Sequence, residues 1–273
     1  MAIYTVKNHW GKKTAPWHDG GLWVLGCRDN QKVMAIHIQS EDKGKTFSGY
    51  MVYEGEGQIG LRATQIAGNN YAVENQWGGE GAEWHPGGNW VIGARSDQNV
   101  ISLEIEASTE ENNLKGTMTY DGEGPIGFEG SVITGSSYSF ANQWGGDQEP
   151  WHQGGTMVIG TRAAQNPISF DISSADNGQS FTGYMTYEGE GHIGFKATLI
   201  AANNYVVENQ WGGDDAPWHE GGVMLIGGRK DQNCVQLKLV SDDDGKTLNG
   251  EMTYDGEGPI GVKLASSSCD NNI

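Results

Sequence analysis

Short apolar runs alternate with turn-forming residues along the first part of the chain. The runs are rich in β-branched and aromatic residues or place apolar side chains at alternate positions, and Gly-, Asp- and Asn-rich segments separate them. They are Ile3–Val6, Leu22–Leu25, Val33–Ile38, Phe47–Tyr53 and Ile59–Ile66. Because no stretch sustains a helical apolar period, the pattern predicts about five short strands and essentially no helix.

This pattern recurs four times with a constant step of 67 residues and without insertions or deletions. The repeats are 1–67, 68–134, 135–201 and 202–268, and the tail 269–273 follows them. Three columns of the repeat stand out because they carry reactive or aromatic side chains in every copy. They are Trp10, Trp77, Trp144 and Trp211; Arg28, Arg95, Arg162 and Arg229; and Glu56, Glu123, Glu190 and Glu257.

The all-β repeat is marginally stable alone, because a chain of about 60 residues buries only about 60% of its unfolded surface. The outer strands of an isolated sheet would also keep open edges. Pairing two repeats into one closed barrel removes both problems and divides the chain into 1–134 and 135–268. A single propeller-like ring of four blades is the alternative, although five strands fit its usual four-stranded blade less well.

The composition excludes several classes of function. The net charge of −18 disfavours binding to nucleic acid or to anionic membrane surfaces. The three cysteines lack zinc-ligand spacing, and we expect neither a metal nor a cofactor. The first residues show no signal-peptide core and no apolar run reaches the length of a membrane span. We therefore expect the chain in the cytoplasm, with non-classical release or surface exposure left open.

The arginine and glutamate columns carry the first candidate chemistry. Four of the five arginines occupy one column, and Arg62 is the fifth, so this position requires a planar fork of permanently charged donors that Lys does not supply. The glutamate is the second acid of a Glu/Asp-Gly-Glu-Gly turn, as in Glu54–Gly57, whose glycines let the backbone approach a ligand closely. A purely structural ion pair between the two columns is the simpler interpretation, and a shared structural and binding role is the other.

The tryptophan column is the second candidate for a binding role. In three repeats it lies in Asn-Gln-Trp-Gly-Gly, and the first repeat has Asn-His-Trp-Gly-Lys instead. A flat indole beside exposed backbone N–H groups suits the apolar face of a sugar, whose hydroxyls then need a few placed donors and acceptors. The alternative is that these tryptophans anchor the barrel. One His per repeat, as in Trp17-His18, is too sparse for a metal site and indicates packing.

These motifs together resemble the Oscillatoria agardhii agglutinin family of high-mannose-binding lectins. The resemblance covers residues 1–268 and rests on Glu-Asn-Gln-Trp-Gly-Gly, Ala-Pro-Trp-His-x-Gly-Gly, Asp-Gln-Asn and Gly-x-Met-Thr-Tyr-Asp-Gly-Glu-Gly-Pro-Ile-Gly. It implies two tandem ten-stranded antiparallel β-barrels, each built from two repeats. It also implies about four sites for the branched mannose core of high-mannose N-glycans, and crosslinking of glycoproteins, cells or enveloped viruses.

The resemblance further implies that each site joins the Trp loop of one repeat to the Arg and Glu of its partner repeat. The four implied sets are Trp10, Gly11 and Lys12 with Arg95, Glu123 and Gly124; Trp77, Gly78 and Gly79 with Arg28, Glu56 and Gly57; Trp144, Gly145 and Gly146 with Arg229, Glu257 and Gly258; and Trp211, Gly212 and Gly213 with Arg162, Glu190 and Gly191. The first set departs from the pattern at His9 and Lys12. If the Lys12 position requires a positive φ, that site is weaker or differs in specificity; if only the backbone N–H is used, Lys is tolerated there.

Two other classes of function are compatible with the repeats. Paired acids such as Glu54 and Glu56 would suit a glycoside hydrolase. However, an adjacent Arg keeps a carboxyl group ionised, which is wrong for a general acid, and we expect no enzymatic activity. A structural protein that assembles through its repeats is the third hypothesis, and its assembly should ignore added sugar.

Overall fold

The computed structural model describes residues 2–28, 31–108, 113–146, 148–162, 165–229 and 231–267. These residues form strands and turns without any helix, so none of them belongs to a helix that could cross a membrane. The first ten strands form one closed antiparallel barrel and the next ten form a second. The paired-repeat barrel is therefore confirmed, and the propeller alternative is wrong.

The strands of the first barrel are β1 (Ala2–His9), β2 (His18–Leu25), β3 (Val33–Gln39), β4 (Thr46–Tyr53), β5 (Gln58–Ala67), β6 (Asn70–Gln76), β7 (Trp84–Val91), β8 (Val100–Ala107), β9 (Asn113–Tyr120) and β10 (Ile126–Ile133). Those of the second barrel are β11 (Ser137–Gln143), β12 (His152–Val158), β13 (Pro167–Ser173), β14 (Ser180–Tyr187), β15 (Ile193–Ala201), β16 (Asn204–Gln210), β17 (Trp218–Leu225), β18 (Cys234–Val240), β19 (Thr247–Tyr254) and β20 (Pro259–Ser266).

The first two strands extend beyond the predicted apolar runs. β1 continues through Lys7, Asn8 and His9, and β2 begins at His18, because these polar residues form a ladder with each other and with β10. Asn8 is buried, whereas Lys7 is exposed and His9 is partly exposed. The β1–β2 hairpin therefore carries the Trp10 loop to one end of the barrel.

The two repeats of each barrel exchange their first hairpins. Around the first barrel the strand order is β1-β10-β9-β8-β3-β4-β5-β6-β7-β2. The β1–β2 hairpin of one repeat thus pairs with β10 of the other, and β6–β7 pairs with β5. Because His9 lies opposite Gly127 and Gln76 lies opposite Gly60, the loop after each of these strands meets the glutamate turn of the partner repeat.

Each barrel is filled by its own apolar core. The columns of Met51 and Ile59, which lie in two of the apolar runs, are buried in all four repeats. The two interiors are filled differently, because Trp23 of the first barrel is replaced by Met157 in the second, whereas Val6 is replaced by Phe140. All four side chains are buried, and such compensating changes of volume are the kind that packed cores tolerate best.

Candidate functional site

The four tryptophans that follow β1, β6, β11 and β16 are exposed. Trp10, Trp77, Trp144 and Trp211 are 45%, 46%, 47% and 50% exposed, so the interpretation as barrel anchors is wrong. One face of each indole stacks on the histidine at the first or second position of the next strand, with ring centroids 4.1 to 4.2 Å apart. Those histidines are His18, His85, His152 and His219. They serve in packing, as the sequence indicated, and about half of each indole remains exposed.

A glutamine braces the Trp loop in three repeats. Gln76 Nε2 donates to the carbonyl oxygen of Ala82 at 2.6 Å, and Gln143 and Gln210 donate to the corresponding carbonyls at 2.6 and 2.7 Å. This bond crosses the loop and holds its two ends together. The glutamine of Asn-Gln-Trp-Gly-Gly is therefore a positioning residue for the indole that follows it.

The arginine and glutamate columns meet within each repeat. Arg95 Nη1 donates to Gln98 Oε1 at 2.5 Å and to Glu123 Oε1 at 2.7 Å. The same pair of bonds recurs at Arg28, Arg162 and Arg229. Among the described residues, Nε and Nη2 of these arginines have no acceptor. The ion pair predicted from the sequence thus exists, and each arginine retains N–H donors that the pair does not use.

A tyrosine lies under each arginine. The guanidinium carbon of Arg28 is 4.5 Å from the centre of the Tyr53 ring, and the distances in the other repeats are 4.0 to 4.2 Å. No role at the site was predicted for this tyrosine column or for the glutamines that hold the arginine. Those glutamines are Gln31, Gln98, Gln165 and Gln232, and the second and fourth belong to the Asp-Gln-Asn motif of the family resemblance. The signal that could have found both columns is their recurrence at the same 67-residue step as the arginine.

Three of these glutamates have lowered pKa values, which favours their ionised form. The pKa of Glu56 is lowered first by a hydrogen bond from Gln31 and then by Arg28. Arg162 lowers the pKa of Glu190, and Arg229 lowers the pKa of Glu257. An ionised carboxylate only accepts hydrogen bonds, so these groups suit recognition of hydroxyls and do not suit general-acid catalysis.

The barrel register brings each Trp loop to the Arg–Glu pair of the partner repeat. In the first barrel, Trp10 lines one cavity of about 490 Å³ together with Arg95, Glu123 and Gly124, and Pro125 and Ile126 complete its wall. In the other three clusters the strand residue before the tryptophan pairs with the first glycine after the glutamate turn. Those ladder pairs are Gln76 with Gly60, Gln143 with Gly261 and Gln210 with Gly194.

The loop of the first repeat differs in the two ways that its sequence suggested. The second glycine of the loop has a φ of +96°, +124° and +107° at Gly79, Gly146 and Gly213, whereas Lys12 does not adopt a positive φ. His9, which replaces the bracing glutamine, has a buried Nε2 atom without a hydrogen-bond partner. Lys12 thus avoids backbone strain because the loop has a different conformation at this residue. The loop also lacks the hydrogen bond that the glutamine side chain donates across the loop in the other repeats.

The described residues contain no cluster of His, Cys, Asp or Glu that could hold a metal ion. The acidic run at Asp242–Asp244 is a hairpin turn, because Asp243 accepts hydrogen bonds from the backbone N–H and the hydroxyl of Thr247. Asp42 and Asp176 do the same in the first and third repeats.

Comparison with known proteins gives consistent matches along the chain. The model of the OAA-family lectin sugar binding domain matches residues 2–66, 69–133, 136–200 and 203–267. The myxobacterial hemagglutinin of Myxococcus xanthus is 54% identical over 263 residues, which cover 96% of this chain and 98% of that protein.

Two solved structures share the architecture. The crystal structure of the Burkholderia oklahomensis agglutinin superposes with a TM-score of 0.92 at 54% identity and covers 97% of this chain and 95% of that one. The Myxococcus xanthus hemagglutinin, solved in complex with α3,α6-mannopentaose, superposes with a TM-score of 0.94 at 53% identity and covers 96% of this chain and 99% of its own. Since all four repeats match one family model, and the relatives align over nearly their full length, the chain belongs to the OAA family of lectins.

Proposed function

We propose that this chain is a multivalent mannose-binding lectin with one binding site at each of its four Trp–Arg–Glu clusters. The observation that carries the proposal is the repeated meeting of an exposed indole with an Arg–Glu pair of the partner repeat. The relatives are a hemagglutinin and lectins, and one relative was solved with a branched mannose oligosaccharide. Both the geometry and the family therefore favour the same class of ligand.

Each cluster offers what a neutral sugar requires. The free face of Trp10 stacks on the apolar C–H face of a pyranose ring. Arg95 supplies donors from its Nε and Nη2 edge, and Glu123 accepts hydrogen bonds from sugar hydroxyls. The N–H groups of Gly11 and Gly124 lie in open backbone without side chains that would keep the sugar away. A branched mannose core presents an apolar face and several hydroxyls to such a site.

Several sites on one chain change how the protein acts on glycan-covered surfaces. Linked sites gain about 10²–10⁴ in avidity over a single site when the glycans can be engaged together. We therefore infer that the chain crosslinks glycoproteins with high-mannose N-glycans, including those on cells and enveloped viruses. The relatives that are named as agglutinins and hemagglutinins support this behaviour.

Calorimetric titration with α3,α6-mannopentaose tests the proposal. About four sites per chain are expected, and Arg95→Ala should lower the number by one in a chain that stays folded. Arg62→Ala is the matched control, because the fifth arginine pairs with Glu74 outside the four clusters. Absence of binding to the intact chain, or an unchanged number of sites in Arg95→Ala, would refute the assignment.

The same clusters argue against hydrolysis of the bound sugar. A glycosidase needs one carboxyl group that is protonated and can donate its proton, whereas the pKa values of Glu56, Glu190 and Glu257 are lowered. Incubation with high-mannose glycan should release no sugar. Sedimentation with and without the oligosaccharide separates the lectin from a self-assembling structural protein, because only the lectin responds to sugar.

A further inference from the structure

The second barrel carries a groove that extends from the Trp211 loop over residues that the four proposed sites do not include, such as Tyr184 and His192. Its volume is about 360 Å³, within the range of about 300–1,000 Å³ typical of ligand pockets. The groove runs along the outer wall over β14, β15 and the start of the Trp211 loop. Gly194 lines it between two strand neighbours, because this residue lies opposite Tyr184 on one side and Gln210 on the other.

An exposed tyrosine forms one wall of the groove. Tyr184 is 58% exposed, and its ring makes a T-shaped contact with the ring of His192 at a centroid distance of 6.2 Å. The equivalent Tyr50 in the first barrel stacks on His37 at 4.8 Å with nearly parallel planes. In the second barrel Asp171 replaces that histidine, so the face of Tyr184 is not covered in this way.

Polar groups of both signs line the groove. Lys196 lies over the Trp218 ring, with Nζ 3.9 Å from its centre, and Asp214 also lines the groove. His192 Nδ1 lies 3.1 Å from the hydroxyl oxygen of Thr186, which orients the imidazole. An aromatic face with a few placed donors and acceptors and balanced charge suits a neutral polyhydroxylated ligand.

The groove is continuous with the Trp211 cluster. Trp211 and His192 line it, and His192 occupies the position that Pro125 holds in the wall of the Trp10 cavity. We propose that this groove binds a further sugar residue of an oligomannose whose branched core occupies the cluster of Trp211, Arg162 and Glu190. This inference rests on the proposed lectin function and assigns the Trp211 site a preference for longer glycans.

The other clusters lack this combination of side chains. The Tyr184 position is Thr117 beside the Trp10 cluster and Glu251 beside the Trp144 cluster, and proline replaces His192 in both. A short polar or charged side chain offers no aromatic face to a sugar. The four sites of the chain therefore differ in how much of a glycan they contact.

The test uses the full chain with the other three sites silenced by Trp10→Ala, Trp77→Ala and Trp144→Ala. These indoles are about half exposed, so their removal leaves both cores intact. The remaining site is titrated with α3,α6-mannopentaose and with a larger branched oligomannose whose arms extend beyond that core. We expect the larger glycan to bind about threefold to tenfold more tightly, which is the range expected for one added aromatic contact.

Tyr184→Ala should remove this preference and leave the affinity for mannopentaose unchanged. Tyr50→Ala in the same silenced chain is the matched control and should change neither affinity. Equal binding of both glycans, or a preference that survives Tyr184→Ala, would overturn the extended subsite while the lectin function stands. Loss of mannopentaose binding from the intact chain would instead overturn the lectin function and the subsite with it.

Discussion

The guanidinium carbon of Arg95 lies 4.0 Å from the centre of the buried Tyr120 ring. Gln98 and Glu123 both accept from Nη1 of the same guanidinium. The ring below and the two acceptors beside it fix the plane of the arginine, so that its remaining donors have a defined direction. A residue that looks like ordinary core thus positions a candidate ligand-binding group.

Replacement of this arginine by lysine should abolish one mannose site although the charge is kept. An ammonium group cannot donate to Gln98 and Glu123 and still present a planar edge to the sugar. The ion pair is partly exposed and contributes only about 0–1 kcal/mol to stability, so the Tm of Arg95→Lys should fall by less than about 4 °C. Calorimetry should report one site fewer than in the parent chain. Retention of every site at the parent affinity would contradict this role for the arginine.

The Trp10 site should bind sugar more weakly than the others, and two substitutions should raise its affinity. The double change His9→Gln and Lys12→Gly restores the bracing amide and allows the positive φ of the other loops. One restored hydrogen bond is worth about 1 kcal/mol, so affinity should rise about threefold to tenfold. The measurement needs a chain in which Trp77, Trp144 and Trp211 are alanine, with His9 and Lys12 retained in the control. An unchanged affinity would show that the altered loop conformation does not limit this site.

Much of the fold is predictable from the sequence because apolar alternation and the repeat step report strands directly. The run Ile59–Ile66, for example, becomes β5 at Gln58–Ala67. The extension of β1 to His9 is not predictable in this way, because polar residues join the strand only where a partner strand is present. The partner is β10, more than one hundred residues away along the chain.

The candidate sites are likewise predictable from the sequence only in part. The Trp, Arg and Glu columns can be singled out because their chemistry is unusual and recurs in every repeat. The exchange of hairpins that brings Trp10 to Glu123 is not visible in the residues, and only the family resemblance suggested it. The groove at Tyr184 is not predictable in this way, since it depends on which side chains lie beside Tyr184 on the neighbouring strands; the change from His37 to Asp171 can be read from the sequence, but its effect on the tyrosine cannot.

Mannose binding should persist into mildly acidic solution. A lowered pKa means that the carboxylate form is retained as the pH falls, and Glu56, Glu190 and Glu257 all have pKa values below the ordinary 4.5 of glutamate. The affinity should therefore be constant from about pH 7 to about pH 5 and fall only below the ordinary glutamate range. Titrations across this range check the expectation, with circular dichroism as the control for folding. A decline that begins near pH 6 would mean that a histidine, rather than these glutamates, controls binding.

Alanine substitutions at two glycines of the second repeat should affect folding and binding separately. A Cβ atom at Gly116 would lie 2.0 Å from the carbonyl oxygen of Glu104 and 2.9 Å from the Cα atom of Ile105, and neither backbone can move without breaking the ladder. Gly116→Ala should therefore destabilise the first barrel by at least about 1–3 kcal/mol and lower its Tm.

Gly124→Ala should leave the stability unchanged and weaken binding. Nothing lies within 4 Å of a Cβ atom at this position, so the fold should be as stable as in the parent chain. Gly124 lines the Trp10 cavity, however, and a methyl group there occupies space that the sugar needs, so binding at this site should weaken. Thermal unfolding and mannopentaose titration of the two variants measure both effects. Equal Tm values for the two alanine variants would disprove the steric argument at Gly116, and unchanged binding by Gly124→Ala would place the sugar elsewhere in the cavity.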